Sequence, residues 1–497
     1  MILERLAVLA GQQSQRPALQ DAHIQLSFAE LHAAVIATAA ALKDLGIGTL
    51  GLLLDNGPAW VIMDLAALHA GIRLVPLPTF FSREQTAHVI RDAGIDALCT
   101  DNEQAHGWQG FAQQRSPVPN TMLLQATRAA ATDTFPAGTA KVTFTSGTTG
   151  QPKGVCLDTA AMCSVAQSIV TATADLGIEK HLCLLPLALL LENITGVYAP
   201  LLAGATVILP SSHERGLQGS QQLDIGQLFT CLDTWRPHSL VVVPQILKAL
   251  TIAATRGMPL PDSLRFVAVG GARVSPELLD EARQAGIPAY EGYGLSECCS
   301  VVTLNRPGEN RAGSVGKPLP HASVRIAADG ELHVSGATLL GYAGQSSPAD
   351  DWFATGDLGF IDADGFLHLT GRKRNAFITA YGRNVNPEWP ESEVSRFPEI
   401  AQAIVFGEAR EHNVAIIQPA LADITDKLIN TCVGAANELL PDYARIHAWV
   451  RADAAFSEEN GMLTASGKPR RDAVWAHYRS RLKTTATASL QNIRETA

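Results

Sequence analysis

Between Val142 and Val155 the chain reads Val-Thr-Phe-Thr-Ser-Gly-Thr-Thr-Gly-Gln-Pro-Lys-Gly-Val. A β-type run leads into a loop of glycine, serine and threonine, closed by Lys153 and Gly154. Such a loop suits phosphate. Glycines let backbone N–H groups come close, hydroxyls donate, and a lysine adds charge. It is not a Walker A loop, because counting from Gly147 puts Pro152 at the second glycine position. Nor is it a hydrolase elbow, since G-x-S-x-G around Ser146 would need glycine at Phe144. Four further residues could do chemistry, and each also has an ordinary reading. Glu297 follows a Gly292-Tyr293-Gly294 turn at a strand end, and alone would be an exposed loop carboxylate. Asp357, in Thr355-Gly-Asp357, falls between two β-hairpins, where a turn residue is common. Arg372 belongs to the basic run Gly371-Arg-Lys-Arg-Asn375, and Lys468 to a loop rich in Thr, Ser and Gly near the C-terminus.

Order gives these pieces a joint meaning. Thr145-Ser-Gly-Thr-Thr-Gly-x-Pro-Lys-Gly154 resembles the phosphate loop of the adenylate-forming superfamily. That superfamily includes acyl- and aryl-CoA ligases, adenylation domains of peptide synthetases and beetle luciferases. Tyr293-Gly-Leu-Ser-Glu297 resembles its Y-G-x-T-E, Thr355-Gly-Asp357 its T-G-D, and Gly371-Arg372 the start of its G-R-x-K/D-D hinge stretch. Lys468, in Leu463-Thr-Ala-Ser-Gly-Lys468, resembles its C-terminal catalytic lysine.

The resemblance implies an α/β fold with two domains. Residues 1–372 would bind ATP and the acyl group through layered, mostly parallel sheets and a hairpin-rich subdomain. Residues 373–497 would form a small, mobile α+β cap carrying the catalytic lysine. ATP and AMP would be held by Thr145, Ser146, Gly147, Thr148, Thr149, Gly150, Lys153, Gly271, Ala272, Glu291, Gly292, Tyr293, Gly294 and Ser296. Asp357 would hold both ribose hydroxyls, a task for an acceptor-only group, and Arg372 the ribose or phosphate. Lys468, Thr145 and Glu297 would be catalytic, with Glu297 as the Mg²⁺ ligand. A carboxylate would attack the α-phosphate of Mg·ATP, and a thiol would then displace AMP from the acyl-adenylate. The cap would turn between these steps about Arg374, and Gly382, in Tyr381-Gly-Arg-Asn-Val385, would enter the site for thioester formation. Asn375 departs from the family's usual acidic residue.

Leu189 stands where amino-acid-activating relatives carry an aspartate, and it cannot pair an ammonium. It also departs from the His or aromatic of many CoA ligases. Gly270 and Gly271 resemble the wall of the acyl pocket, with room left by missing side chains. Asn460-Gly-Met-Leu-Thr464 before Lys468, and Leu185-Pro-Leu-Ala188 with Glu192-Asn193, resemble long-chain fatty-acyl ligases. A fatty acid is the first expectation and an aryl acid the second. The thiol is expected to be CoA, with the phosphopantetheine of an acyl carrier protein as the alternative. A non-catalytic binding protein fits poorly, because the catalytic set is intact.

The elements that must position these residues are partly legible. Ser27-Phe-Ala-Glu30 is a capping box, followed by Leu31, Val35, Ala39 and Leu42 at helical spacing and by Gly46 as a stop. Short apolar runs at 51–55, 74–78, 206–209, 239–243 and 266–269 alternate with helical segments, the pattern of a parallel sheet buried on both faces. Beyond Gly313, alternating runs flank Asp329-Gly330 and Asp364-Gly365, which predicts hairpins. Strands at 376–379 and 403–406 and helices at 390–397 and 423–440 complete the small domain, while 117–136 reads as loop.

The whole chain has 497 residues, 46% hydrophobic and 17% charged, which excludes disorder. Its net charge of −10 disfavours nucleic acid and anionic membrane as partners. Eight cysteines without a metal-type spacing read as buried small hydrophobes. The start of the chain lacks signal-peptide character, and the apolar stretch 182–210 is interrupted by Glu192 and Asn193. A cytoplasmic enzyme without a transmembrane segment is expected.

Overall fold

The computed structural model describes residues 2–101, 108–127, 135–145, 153–218, 222–345, 350–464 and 467–482. The larger, N-terminal part holds two big sheets. The first runs, edge to edge, through Lys317–Pro318, Ser300–Leu304, Ala289–Leu295, Phe266–Val269, Ser239–Val242, Lys180–Leu182, Thr206–Ile208, Pro17–Gln20 and Gln25–Ser27. Its centre is parallel and both its ends antiparallel. The second runs through Gly341–Tyr342, Lys153–Leu157, Lys141–Thr145, Arg73–Pro76, Thr49–Leu53, Ala97–Thr100, Met122–Ala126 and Phe111–Gln114. It too is parallel at its centre, from Lys141–Thr145 to Ala97–Thr100, with antiparallel flanks. The central strands are the continuous apolar runs: every residue of Thr49–Leu53 is buried.

Helices fill the space between the sheets. Leu19 and Val207 of the first sheet and Leu50 and Leu74 of the second share one core with Phe28, Trp60 and Met162 from three helices. The first of these, Phe28–Asp44, starts at the expected box: Ser27 accepts from the Glu30 N–H, and the Glu30 carboxylate accepts from the Ser27 N–H at 2.8 Å. Gly46 follows its end at φ +67°.

A four-stranded antiparallel sheet comes next, ordered Ala322–Ile326, Glu331–Gly336, Phe353–Ile361 and Leu367–Arg372. Both Asp-Gly hairpins form, pairing Ile326 with Leu332 and Ile361 with Leu367. The smaller part has a three-stranded sheet, Ile400–Phe406, Asn413–Pro419 and Ile446–Arg451, with helices Glu388–Ser395 and Asp426–Glu438. Its two hydrophobic cores use only residues from Phe377 onward.

Three local expectations need correction. The segment 117–136 contains the strand Met122–Ala126, which pairs with Ala97–Thr100. Met-Leu-Leu-Gln-Ala has neither β-branched residues nor alternation, so only its neighbour makes it a strand. Gly292-Tyr293-Gly294 is no turn, because strand Ala289–Leu295 continues through it, with a break in register between Tyr293 and Gly294. The glycines are needed for closeness: a Cβ at Gly294 would lie 1.5 Å from the Ser300 carbonyl oxygen. Asp357 sits within strand Phe353–Ile361 rather than between hairpins, beside Gly356 at φ +73°.

Candidate active site

The end of strand Ala289–Leu295 and the adjoining strands Phe353–Ile361 and Leu367–Arg372 face a cleft that the small domain closes. A cavity of about 2240 Å³ runs through it. Asp357 is buried at its wall. One carboxylate oxygen accepts from the Tyr293 hydroxyl at 2.6 Å, and the other meets Arg372 Nε at 2.8 Å. Burial raises the Asp357 pKa above the ordinary value, with Arg372 and then Tyr293 pulling it back. Burial and the neighbouring Asp357 push the Tyr293 phenol well up.

Glu297 sits in a single helical turn just past the strand, where Tyr342 donates to its Oε1 at 3.1 Å. The ring of Tyr342 also carries Lys153, whose Nζ is 5.8 Å from the ring centre. Tyr342 had no signal in the sequence, because it reaches the site through the pairing of Gly341–Tyr342 with Lys153–Leu157. Lys153 itself stands opposite Thr145 at the ends of two antiparallel strands. The side chain of Thr145, and Ser146, Gly147, Thr148, Thr149 and Gly150, lie outside the described residues.

Lys468 enters the same cavity from the small domain. It keeps much of its surface on the open cleft, although protein crowds around it. That crowding lowers its ammonium below the ordinary lysine value. Arg372 and Arg374 lower it further, and Glu297 and Asp357 oppose them. Lys153, Arg372, Arg374 and Lys468 thus converge with Glu297 and Asp357 on one cavity. This set suits a polyanion, with Glu297 as the carboxylate available to a phosphate-bound Mg²⁺. Gly271, Ala272, Gly292, Gly294 and Ser296 line the cavity, as does Glu291. Gly271 has φ +85°, so its backbone N–H faces a direction few other residues allow. Glu291 is buried beneath this loop, where its carboxylate accepts from the Val274 N–H at 3.4 Å. Burial lifts its pKa to about 8. Gly382, at φ +71° and exposed beside Tyr381, does not line the cavity in this orientation.

The inner end of the cavity is apolar. Leu189, Leu191, Ala199, Ala268 and Gly270 line it, and it extends to Val170, Thr173, Ile178 and Ala203. These last four residues also line a surface recess bordered by Arg5 and Val8 of helix Ile2–Gln12. His181 is one polar side chain in the wall, with Nδ1 2.9 Å from Ser239 Oγ and Nε2 3.4 Å from Glu192 Oε1. Cys183, just past the end of strand Lys180–Leu182, donates to the Gly196 carbonyl at 3.3 Å, and the Leu185 N–H donates to Glu192 Oε2 at 3.1 Å. Sequence spacing gave no hint that His181, Cys183 and Glu192 meet. Their bonds to one another and to the backbone account for their burial. All eight cysteines are buried thiols.

Two family models match the chain: AMP-binding enzyme over residues 6–342 and AMP-binding enzyme C-terminal domain over residues 375–488. Among similar proteins is a 2-succinylbenzoate–CoA ligase of Bacillus licheniformis, 29% identical over 81% of this chain and 84% of that protein. A long-chain-fatty-acid–CoA ligase of Mycobacterium bovis is 27% identical over 85% of each. Two solved structures share the fold. An anthranilate CoA ligase in complex with anthranoyl-AMP superposes with a TM-score of 0.80 at 20% identity, covering 98% of both chains. An o-succinylbenzoate CoA synthetase from Bacillus subtilis, in complex with ATP and magnesium ion, has a TM-score of 0.75 at 24% identity, covering 94% of this chain and 98% of that one.

Proposed function

This chain belongs to the AMP-binding enzyme family, and from that premise we propose that it activates a carboxylic acid with an extended apolar tail, in the first place a fatty acid. It is an AMP-forming acid–thiol ligase that uses ATP, Mg²⁺ and CoA. The acid's carboxylate oxygen bonds to the α-phosphorus and the bond to pyrophosphate breaks. The CoA sulfur then bonds to the acyl carbon, AMP leaves, and the thiol proton passes to solvent. Lys468 offsets the negative charge that builds at the carboxylate and α-phosphate, while Arg372 and Asp357 fix the nucleotide. Glu297 would hold the magnesium ion, which would neutralise charge on the phosphates. The boundary between the domains falls at 372/373, and the small domain turns about Arg374 to bring Gly382 to the site for the second step. The free thiols suit the cytoplasm.

The observation behind the fatty-acid reading is the inner cavity. Its aliphatic lining passes Leu189 and Ala268 and reaches the recess beside helix Ile2–Gln12. An aryl acid is the second reading, favoured by the 2-succinylbenzoate ligase among the relatives and by His181 in the wall. A panel of fatty and aryl acids, scored by pyrophosphate release with free CoA and then with a phosphopantetheinylated carrier protein, separates these readings. Preference for short aryl acids would overturn the first. The division of labour has its own test. Lys468→Ala should lower adenylate formation by about 10²-fold or more and spare thioester formation from a supplied acyl-adenylate. Equal loss of both steps would refute it.

A further inference from the structure

Lys468 does its work only while the small domain is held over the cleft, and one lysine of the large domain is built into that interface. Lys248 lies on helix Pro244–Thr255, outside every motif of the sequence. Its ammonium donates to the Ser395 carbonyl at 2.7 Å and to the Ile400 carbonyl at 2.6 Å. Ser395 is the last residue of helix Glu388–Ser395, and Ile400 is the first of strand Ile400–Phe406. A helix end leaves carbonyls without intrahelical partners and carries partial negative charge, so a cation is well placed there. Glu399 adds attraction from the same side. Beside it, Arg396 Nη1 meets Glu281 Oε1 at 3.3 Å, a second and more exposed bridge between the two domains.

We propose that Lys248 is a positioning residue for the first half-reaction, a latch that grips the backbone at 395–400 and so holds the small domain where Lys468 reaches the cleft. The proposal rests on the reading that the small domain turns between the two steps. A lysine suits a latch that must open. Its head exchanges two backbone carbonyls for water when the domain leaves, so neither side keeps a buried apolar scar. An apolar side chain there would hold through area alone and would resist release.

The test uses the full chain and rates per mole of folded protein, measured by circular dichroism. Lys248→Met keeps the stem and removes the donors. It should lower acid-dependent ATP–pyrophosphate exchange by about tenfold, the loss expected for roughly 1.4 kcal/mol of orientation energy. Thioester formation from a supplied acyl-adenylate and CoA should stay the same or rise. Lys248→Arg, which keeps a cation able to reach the same carbonyls, should retain most of the exchange. Unchanged exchange in Lys248→Met, or equal loss in both half-reactions, overturns the latch. Lys468→Ala separates the two failures. If it splits the half-reactions and Lys248→Met does not, the latch alone falls; if neither variant splits them, the turning domain falls with it.

Discussion

Asp357 shows how one side chain can carry two loads. Its carboxylate anchors the Tyr293 hydroxyl and Arg372 at once, so the acceptor, the ring that shapes the wall and the guanidinium are fixed together. The motifs that carry Asp357, Tyr293 and Arg372 were each legible in the sequence, but the bonding of these three side chains to one another was not. Glu291 illustrates the electrostatic side of the same point. Burial holds its pKa near 8, well above the ordinary 4.5. Between those values the folded protein keeps a proton that the unfolded chain has released. Stability must therefore fall as pH rises through that window and level off above it. Urea midpoints between pH 5 and pH 9 should show this decline, and Glu291→Gln should flatten it. A decline of the same size in the variant would assign the effect to other groups.

At the scale of elements, the contacts that matter cross between segments far apart in the chain. Lys141, on a central strand, is fully buried. Its Nζ pairs with Asp64 Oδ1 of helix Pro58–Ala70 at 2.7 Å, lies 3.0 Å from the Tyr198 hydroxyl, and also bonds Asn193. Asn193 in turn donates to Asp64 Oδ2 at 3.0 Å. The network thus pins strand Lys141–Thr145, which leads into the glycine-rich segment, to a helix and to the π-helical turn Asn193–Tyr198. Removing one member of such a pair leaves a buried charge without its partner. Lys141→Met should cost about 3–5 kcal/mol, read from urea unfolding. Adding Asp64→Leu should recover much of that loss; if the double variant is as unstable as the single one, packing rather than charge explains the cost. Nothing in local spacing marks Lys141 as buried, since lysine is ordinarily exposed.

For the whole molecule, the cores are divided as the chain is divided. The clusters around Ile429 and Val405, and around Ile416 and Val474, draw on no residue before Phe377. A domain with its own core can fold alone. Residues 373–497 expressed separately should therefore unfold in one cooperative transition. Residues 1–372, lacking Lys468 and the bridges from Lys248 and Glu281, should bind nucleotide yet fail in pyrophosphate exchange. A 373–497 fragment without a cooperative transition would mean that the small domain needs the large one as a template.

The sequence by itself determined what local chemistry can write. The Gly-Ser-Thr loop with Lys153, the capping box at Ser27, the Asp-Gly hairpins and the buried parallel runs depend on backbone freedom, short-range hydrogen bonds and side-chain period. All of these act within a few residues. The order of the motifs then pointed to the family. Tertiary structure alone decided that Gly292 and Gly294 serve close strand packing rather than a turn, that Tyr342 braces Glu297, and that Lys468 shares one cavity with Arg372 and Asp357 across an interface that Lys248 also bridges. The glycines meet a strand that begins six residues on, but the other contacts pair residues separated by tens to hundreds of positions, and their strength comes from burial and from neighbouring charges, which exist only once the sheets and the small domain have come together.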